Sequence, residues 1–296
     1  MTLRIATRGS ALALAQAGQV AAMLGGAELV EVSSNGEVGD KARFVRGVER
    51  ALLDGEAEIG VHSAKDVPAE LTGGLMLAAV PGREDPRDAW IGAGASLDDA
   101  PEGAKVGTAS LRRAAQLLAA RPDLELSELH GNVDTRLHKL AEGDLDAIVL
   151  AVAGLRRLGR ADEISFPIPT ESMTPAAGQG ALLLQVRDGD ETALRAVDAI
   201  VDETALRELT AERTVVSLLN ATCNSPLGVH AKVDARADQM RMDAFVGLPD
   251  GSEWLRDQVE GDPAEPTLLG AELAKRLLDT GAREILDRAE KWTGRV

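Results

Sequence analysis

A single cysteine, Cys223, stands in 296 residues, which excludes an internal disulfide framework and fits a reducing compartment. The four histidines, His62, His130, His138 and His230, are scattered without HExxH spacing, and there is no CxxC, so no metal is assigned. Positive charge is also scarce: the formal net charge is -16 and the isoelectric point is near 4.7. Nucleic acid and anionic membrane surfaces both reward net positive charge, so neither is expected as a partner. No GxxxxGK[ST] occurs, and GQGALL at 178–183 lacks a third glycine and does not open a helix, which disfavours ATP and dinucleotides. No segment has the length of a membrane span. Arg4 and Arg8 ahead of SALALAQAGQVAAML imitate a signal peptide, but Gln16 and Gln19 interrupt the apolar stretch, and a cytoplasmic protein is expected.

What is present is an ordinary globular composition, 45% hydrophobic and 27% charged, in a chain longer than one core usually supports. Short β-rich runs (LRIAT, ELVEV, EIGVHS, LMLAAVP) alternate with helical stretches at 10–24 and 43–54, which predicts an α/β lobe with a largely parallel sheet. PGREDPRD at 81–88 reads as a linker or hinge. The alternation restarts with KVGT, a helix at 110–120, LELSEL, a helix at 132–142, DAIVLAV and a helix at 152–159. A second Pro- and Gly-rich passage, PIPTESMTPAAGQG, precedes ALLLQV, an apolar strand able to return to either sheet. A long helix, the alternating strands VHAKVDA and QMRMDAFVG, and helices near 265–278 and 281–291 close the chain. The expected architecture is α/β: two lobes around a cleft, 1–81 plus 181–199 and 86–176, with a small α+β domain at 203–296. In such an arrangement ligands sit between the lobes at the carboxyl ends of the strands.

Arginine outnumbers lysine 25 to 7, and guanidinium suits bidentate capture of carboxylate or phosphate. RIATRGSALALAQ and KVGTASLRRAAQ both run strand, threonine, then a serine opening a helix, and HGNVDTRLHKL again pairs a helix start with threonine and arginine. Each places free backbone N–H groups, a hydroxyl and guanidinium groups at one helix N-terminus, a ready anion site. Taken singly, Ser10 and Ser110 read as plain N-caps. Together with Arg8, Thr108, Arg112, Arg113, Arg136 and Arg157 at helix ends on the cleft side, they suggest a ligand with several negative groups, and carboxylates above phosphates.

In HSAKDVP, Lys65-Asp66 follows the apolar run Ile59, Gly60, Val61. Asp66 reads either as a cleft carboxylate that holds developing positive charge or relays a proton, or as a salt bridge or cap before Pro68. Lys65 carries the same two readings. Cys223, in the turn-like NATCNSPLG, is either a small buried hydrophobe or a thiolate that carries a covalent group.

RIATRGSALALAQA, HSAKDVP, REDPRDAWI, VGTASLRRAAQL, GNVDTRL, AVAGLRRLG, GQGAL and ATCNSPLGVHA, collinear from Leu3 to about Ile285, strongly resemble the porphobilinogen deaminase (hydroxymethylbilane synthase) family. The resemblance implies three domains, the first two similar to periplasmic-binding-protein lobes, and a dipyrromethane cofactor joined by thioether to Cys223. It implies stepwise condensation of four porphobilinogen molecules onto that primer to give hydroxymethylbilane, in tetrapyrrole biosynthesis. Asp66 matches the aspartate that steadies the pyrrole nitrogen cation. Arg8, Arg112, Arg113, Arg136 and Arg157 match arginines that bind acetate and propionate side chains, with Ser10, Lys65, Thr108, Ser110 and Gln179 alongside them. A monomer acting on a small-molecule substrate is implied.

Two departures from the family pattern stand out. His130 occupies the position before GN where an arginine is usual, and it reads either as a carboxylate holder that acts only while protonated or as a neutral histidine bonding the loop while Arg136 and its neighbours bear the load. The loop SSNGEVGDKARF is shorter than usual, and Lys41 is the match for its lysine, with a possible lid role. The rival reading is a non-catalytic two-lobed binder of a small polycarboxylate, which needs neither Cys223 nor Asp66.

Overall fold

The computed structural model describes residues 2–33, 43–222 and 224–292; Lys41 and Cys223 lie outside the described residues. Three sheets organise the chain. The first comprises β1 (Arg4–Arg8), β2 (Glu28–Val32), β3 (Ile59–Ser63), β4 (Leu75–Ala79) and β10 (Leu182–Arg187), in the order β2-β1-β3-β10-β4. The second comprises β5 (Asp88–Gly92), β6 (Lys105–Gly107), β7 (Glu125–Ser127), β8 (Ala147–Ala151) and β9 (Phe166–Pro167), in the order β7-β6-β8-β5-β9. β11 (Leu227–Asp234), β12 (Gln239–Gly247) and β13 (Trp254–Gly261) form the third, an antiparallel meander.

Each large sheet is largely parallel, as expected, with one opposed strand inserted: β10 in the first and β5 in the second. β1 runs parallel to β2 and β3, and β6 parallel to β7 and β8, as βα connections impose. β10 is antiparallel to β3 and β4, and β5 is antiparallel to β8 and β9. The reason is the route of the chain: β5 and β10 each follow a passage between lobes, so each enters its sheet from the opposite direction. ALLLQV thus returns to the first sheet. Asp88, read above as the last residue of a linker, opens the buried strand β5 (DAWIG), and WLRDQVEG forms β13.

In the first lobe, α1 (Ala11–Met23) packs Ala17 and Val20 against Ile5, Ile59, Leu182 and Leu184. On the opposite face, α2 (Arg43–Leu53) presents Val48, Ala51 and Leu52 to Ala6 and Leu75, the one-sided stripe of an amphipathic helix. The second lobe closes over Trp90, Val106, Val149 and Phe166, with α3 (Leu111–Ala120) contributing Leu117. Trp90 and Phe166 stack at 6.0 Å. α4 (Val133–Ala141) and α5 (Val152–Arg157) cover its other side, where Leu137 and Leu155 meet Ile148 and Leu150.

The long helix α7 (Glu203–Leu218) joins the third unit to the first lobe. Ala205 and Leu209 pack with Ala64, Val67 and Leu183, while Ala211 and Val215 pack with Val229, Met242 and Leu273 of α8 (Pro266–Asp279). Its Glu212 accepts from Arg83 Nη1 at 2.7 Å, from the Gly178 N–H at 2.6 Å and from the Ala231 N–H at 2.8 Å; Glu208 accepts from the Val233 N–H at 3.0 Å. The two inter-lobe passages run side by side: Arg83 and Ala181 form an antiparallel bridge, and Glu84 donates its N–H to the Gly180 carbonyl at 3.1 Å. Gly180 has φ +89°, and a Cβ there would stand 2.1 Å from the Glu84 carbonyl oxygen, so only glycine lets the passages touch.

Candidate active site

β3 is buried along Ile59 to His62 and stops where Ala64–Asp66 turn through a single 3₁₀ segment. Ala64 is anchored by its N–H to the Ala181 carbonyl at 3.1 Å. Pro68 ends the turn by restricting Val67 to extended backbone, φ -86° and ψ 122°. Lys65 and Asp66 therefore project from a fixed strand end into a cavity of about 650 Å³. Lys65 Nζ donates to Gln179 Oε1 at 3.1 Å. Burial pushes its ammonium down to about 8, Arg113 adding to the effect while Asp66 and Asp88 oppose it.

Across the cavity stands the first turn of α3. Ser110 caps it by accepting from the Arg113 N–H at 3.5 Å, and Thr108 Oγ1 accepts from the Ser110 N–H at 3.2 Å. Arg112 and Arg113 are buried, at 4% and 6% exposure. Both converge on Asp88, the fully buried first residue of β5: Arg112 Nη1 donates to Oδ2 at 2.8 Å and Arg113 Nε to Oδ1 at 3.0 Å. Burial alone would push the Asp88 carboxyl up, but the two guanidinium charges hold it well below the usual carboxylate range. Gln179 Nε2 donates to Asp88 Oδ1 at 3.1 Å and to the Pro86 carbonyl at 2.7 Å.

Arg136 reaches the cavity from α4, whose N-cap Asn132 accepts from the Thr135 N–H at 2.8 Å. Burial, then Arg113, lowers its guanidinium to about 10. Its Nε and that of Arg157 are buried without a hydrogen-bond partner among the described residues. Arg157 spends Nη2 on the Gly180 carbonyl at 2.7 Å. Unsatisfied buried donors on cations call for an anion. Arg8 and Ser10 end β1 and cap α1, with Ser10 accepting from the Ala13 N–H at 3.3 Å; neither is among the side chains lining the cavity, and the same holds for Thr108 and Arg157.

His130 stands apart. It is exposed and pairs through Nε2 with Glu128 Oε1 at 2.6 Å, outside the cavity lining. Carboxylate holding by His130 would need it to turn away from Glu128. Conversely, Asp88 and Arg213 went unnoticed in the sequence. Arg213 lines the cavity from α7 and donates to the carbonyls of Val67 at 3.1 Å and Pro68 at 2.8 Å, tying the Asp66 turn to the third unit. A charged residue opening an apolar run, as Asp88 opens AWI, was the available signal; Arg213 offered none.

The third unit closes the cavity with Thr222, Asn224 and Ser225, the immediate flanks of Cys223. A smaller cavity of about 380 Å³ lies beyond them, against Trp292 and the end of α9 (Ala282–Glu290). Among the described residues no three acidic, histidine or cysteine side chains gather as a metal site, and no helix is long and apolar enough to cross a membrane.

Two α/β lobes, a cleft lined by Lys65, Arg112, Arg113, Arg136 and Arg213 against Asp66, and a third unit bringing a polar loop to it make a two-lobed protein with a cation-rich cleft. The family model for the porphobilinogen deaminase dipyrromethane cofactor binding domain matches residues 3–195, and that for the C-terminal domain matches 206–279; the chain belongs to the porphobilinogen deaminase family, whose members are transferases. It is 42% identical over 304 residues to the porphobilinogen deaminase of Syntrophus aciditrophicus, covering 97% of this chain and 99% of that one. To that of Thiobacillus denitrificans it is 43% identical over 303 residues, covering 97% and 98%. Among solved structures, the L-cystine solute receptor of Neisseria gonorrhoeae overlays with TM-score 0.39 and 14% identity over 67% of this chain and 85% of that one.

Proposed function

We propose that this chain condenses four porphobilinogen molecules head to tail on a dipyrromethane primer held by Cys223, and that water then cleaves the bond between tetrapyrrole and primer, supplying the hydroxyl of the released hydroxymethylbilane. The observation that carries the proposal is that Asp66, the cationic rim and both neighbours of Cys223 line one cavity. The unpartnered Nε atoms of Arg136 and Arg157 fit a primer and substrate that bring two carboxylates per ring. When bound, the dipyrromethane supplies the pyrrole carbon that begins the chain. Each condensation breaks a C–N bond, releases ammonia, forms one C–C bond and returns a proton from the attacked pyrrole carbon. Asp66 stabilises positive charge on the pyrrole nitrogen as ammonia leaves, an interaction stronger in the transition state than before it.

Arg8, Arg112, Arg113, Arg136 and Arg157, with Ser10, Lys65, Thr108, Ser110 and Gln179, hold acetate and propionate groups. Arg213 positions the Asp66 turn. Lys41, outside the described residues, takes the lid role that the family resemblance implies. The domain division at 1–81 plus 181–199, 86–176 and 203–296 assigns one sheet to each unit. The chain works as a monomer in the cytoplasm, as the family resemblance implies. Light scattering during size exclusion checks the first point.

Intact-mass measurement tests the proposal: the purified protein is expected to carry a two-pyrrole adduct, and Cys223→Ser is expected to fold, lack the adduct and form no product, since a hydroxyl is a far poorer nucleophile than a thiolate. An unmodified wild-type protein that binds polycarboxylates without turnover is the result expected of a binder.

A further inference from the structure

Asp88 divides its two oxygens among three donors from two segments. Oδ2 accepts from Arg112, while Oδ1 accepts from both Arg113 and Gln179. Each arginine has a second anchor: Arg112 also donates to the Thr174 carbonyl at 2.7 Å and Arg113 to the Val149 carbonyl at 2.8 Å. Gln179, 1% exposed, uses its amide nitrogen on two acceptors, Asp88 Oδ1 and the Pro86 carbonyl. Those two acceptors fix which way the amide points, because the flipped form sets its oxygen against two other oxygens. Only in the unflipped form does Oε1 face Lys65 Nζ. A chain of two contacts thus runs from the buried carboxylate of the second lobe, through Gln179, to the ammonium of the first.

We propose that Asp88 is a positioning residue for the condensation: its carboxylate fixes the two arginines opening α3 and, through the orientation of Gln179, the placement of Lys65 across the cleft. The proposal rests on the reading of these cations as carboxylate holders. Shape alone does not meet the requirement. An asparagine at 88 has one oxygen and one NH₂ group, so it sets a donor either against the Arg112 guanidinium or against the donors of Arg113 and Gln179. The second arrangement drives Gln179 to flip and presents its NH₂ to the Lys65 ammonium.

The charged groups acting on Lys65 are Asp66 and Asp88, which favour its protonation, and Arg112 and Arg113, which oppose it. Removing Asp88 therefore lowers the pH at which Lys65 gives up its proton. The experiment measures acetylation of Lys65 by acetic anhydride against pH, read by peptide mass spectrometry, in the purified holoprotein and in Asp88→Asn, Asp88→Glu and Gln179→Met. Asp88→Asn is expected to move the Lys65 midpoint down by about one unit and to raise KM for porphobilinogen about tenfold or more. Gln179→Met, which keeps the buried ion cluster, moves the midpoint the same way by less. Asp88→Glu keeps the charge, so the midpoint stays at its wild-type value while KM rises because the longer side chain displaces both guanidinium groups.

A purely structural role would lower yield and melting temperature and leave the midpoint in place. Folded Asp88→Asn and Gln179→Met proteins with wild-type midpoint and KM overturn the proposal. Should Asp88→Asn not fold, the same result in Gln179→Met alone overturns it. The labelling needs no turnover, so a failure of the enzymatic reading would show as absent product with the midpoint still readable.

Discussion

After β1, Ser10 caps a helix that continues Ala11, Leu12, Ala13; after β6, Ser110 caps one that continues Leu111, Arg112, Arg113. The local unit is the same in both lobes, a strand, a threonine and a serine N-cap, yet only the second lobe sets guanidinium groups in the first helical turn and buries a carboxylate to hold them. The first lobe keeps that turn apolar and carries its polar pair at the end of the neighbouring strand, on the three-residue Ala64–Asp66 segment. The difference teaches that the duplicated framework supplies the backbone geometry, while its side chains divide the work. One rim carries a lysine lowered to about 8 beside a carboxylate, and the other a fixed cationic surface.

If that division holds, substitutions in the two rims fall on different kinetic constants. Asp66→Asn keeps size and hydrogen bonding but deletes charge, so kcat is expected to fall about a hundredfold or more while the Cys223 adduct persists; steady-state kinetics beside intact mass checks both. In the second rim, Arg136→Leu is expected to raise KM about tenfold with kcat changed far less, the loss of one charge-assisted contact. Its melting temperature should be no lower, because no partner among the described residues meets its buried Nε. Equal kcat losses in both variants would erase the distinction between rims.

A third test concerns the lobe interior rather than its rim. His62 is buried under the Asp66 turn, bonded through Nε2 to Gln185 Oε1 at 3.0 Å, and Gln185 Nε2 bonds Glu49 Oε1 at 3.0 Å. Burial lowers its imidazole to about 4, against the opposing effect of Gln185. Between the ordinary value near 6.5 and that value, the unfolded chain binds a proton that the folded one refuses, so stability falls with falling pH across this window. The loss amounts to about 3 kcal/mol below pH 4. His62→Gln is expected to remove that component, seen as a shallower decline in urea stability from about pH 6.5 to 4. The smallest effect is expected at His130: with its imidazole on Glu128, His130→Arg should give a pH–rate profile of wild-type shape. A gain confined to the alkaline end would bring His130 back among the carboxylate holders.

The lobes and their helices were legible because period and caps act locally: the Ser10 and Ser110 caps sit where the serines predict. β5 was not, since Asp88 and the preceding PGREDPR look like solvated linker until Arg112 and Arg113, more than twenty residues on, are known to neutralise it. β13 escaped for another reason: WLRDQVEG is an edge strand with Val259 as its only fully buried member, and its alternation is correspondingly weak. The antiparallel insertion of β5 and β10 depends on the path of the chain between lobes, which no local pattern records. Within the site, Asp66 and its lysine were visible as a pair, whereas the placement of His130 was set by Glu128, a neighbour two residues away that the motif comparison passed over.

The carboxylates of α7 have an effect well away from the cleft. β11 is an edge of the third sheet, and its outward N–H groups at Val229, Ala231 and Val233 are taken by the Pro175 carbonyl, Glu212 and Glu208. A free edge of that kind is a template on which a strand of another molecule can add. With alternate donors occupied from within, intermolecular sheet growth finds no foothold there. Replacing Glu208 and Glu212 together by glutamine loosens that cover, and the expected sign is colloidal: turbidity on heating that begins before the far-ultraviolet signal reports unfolding.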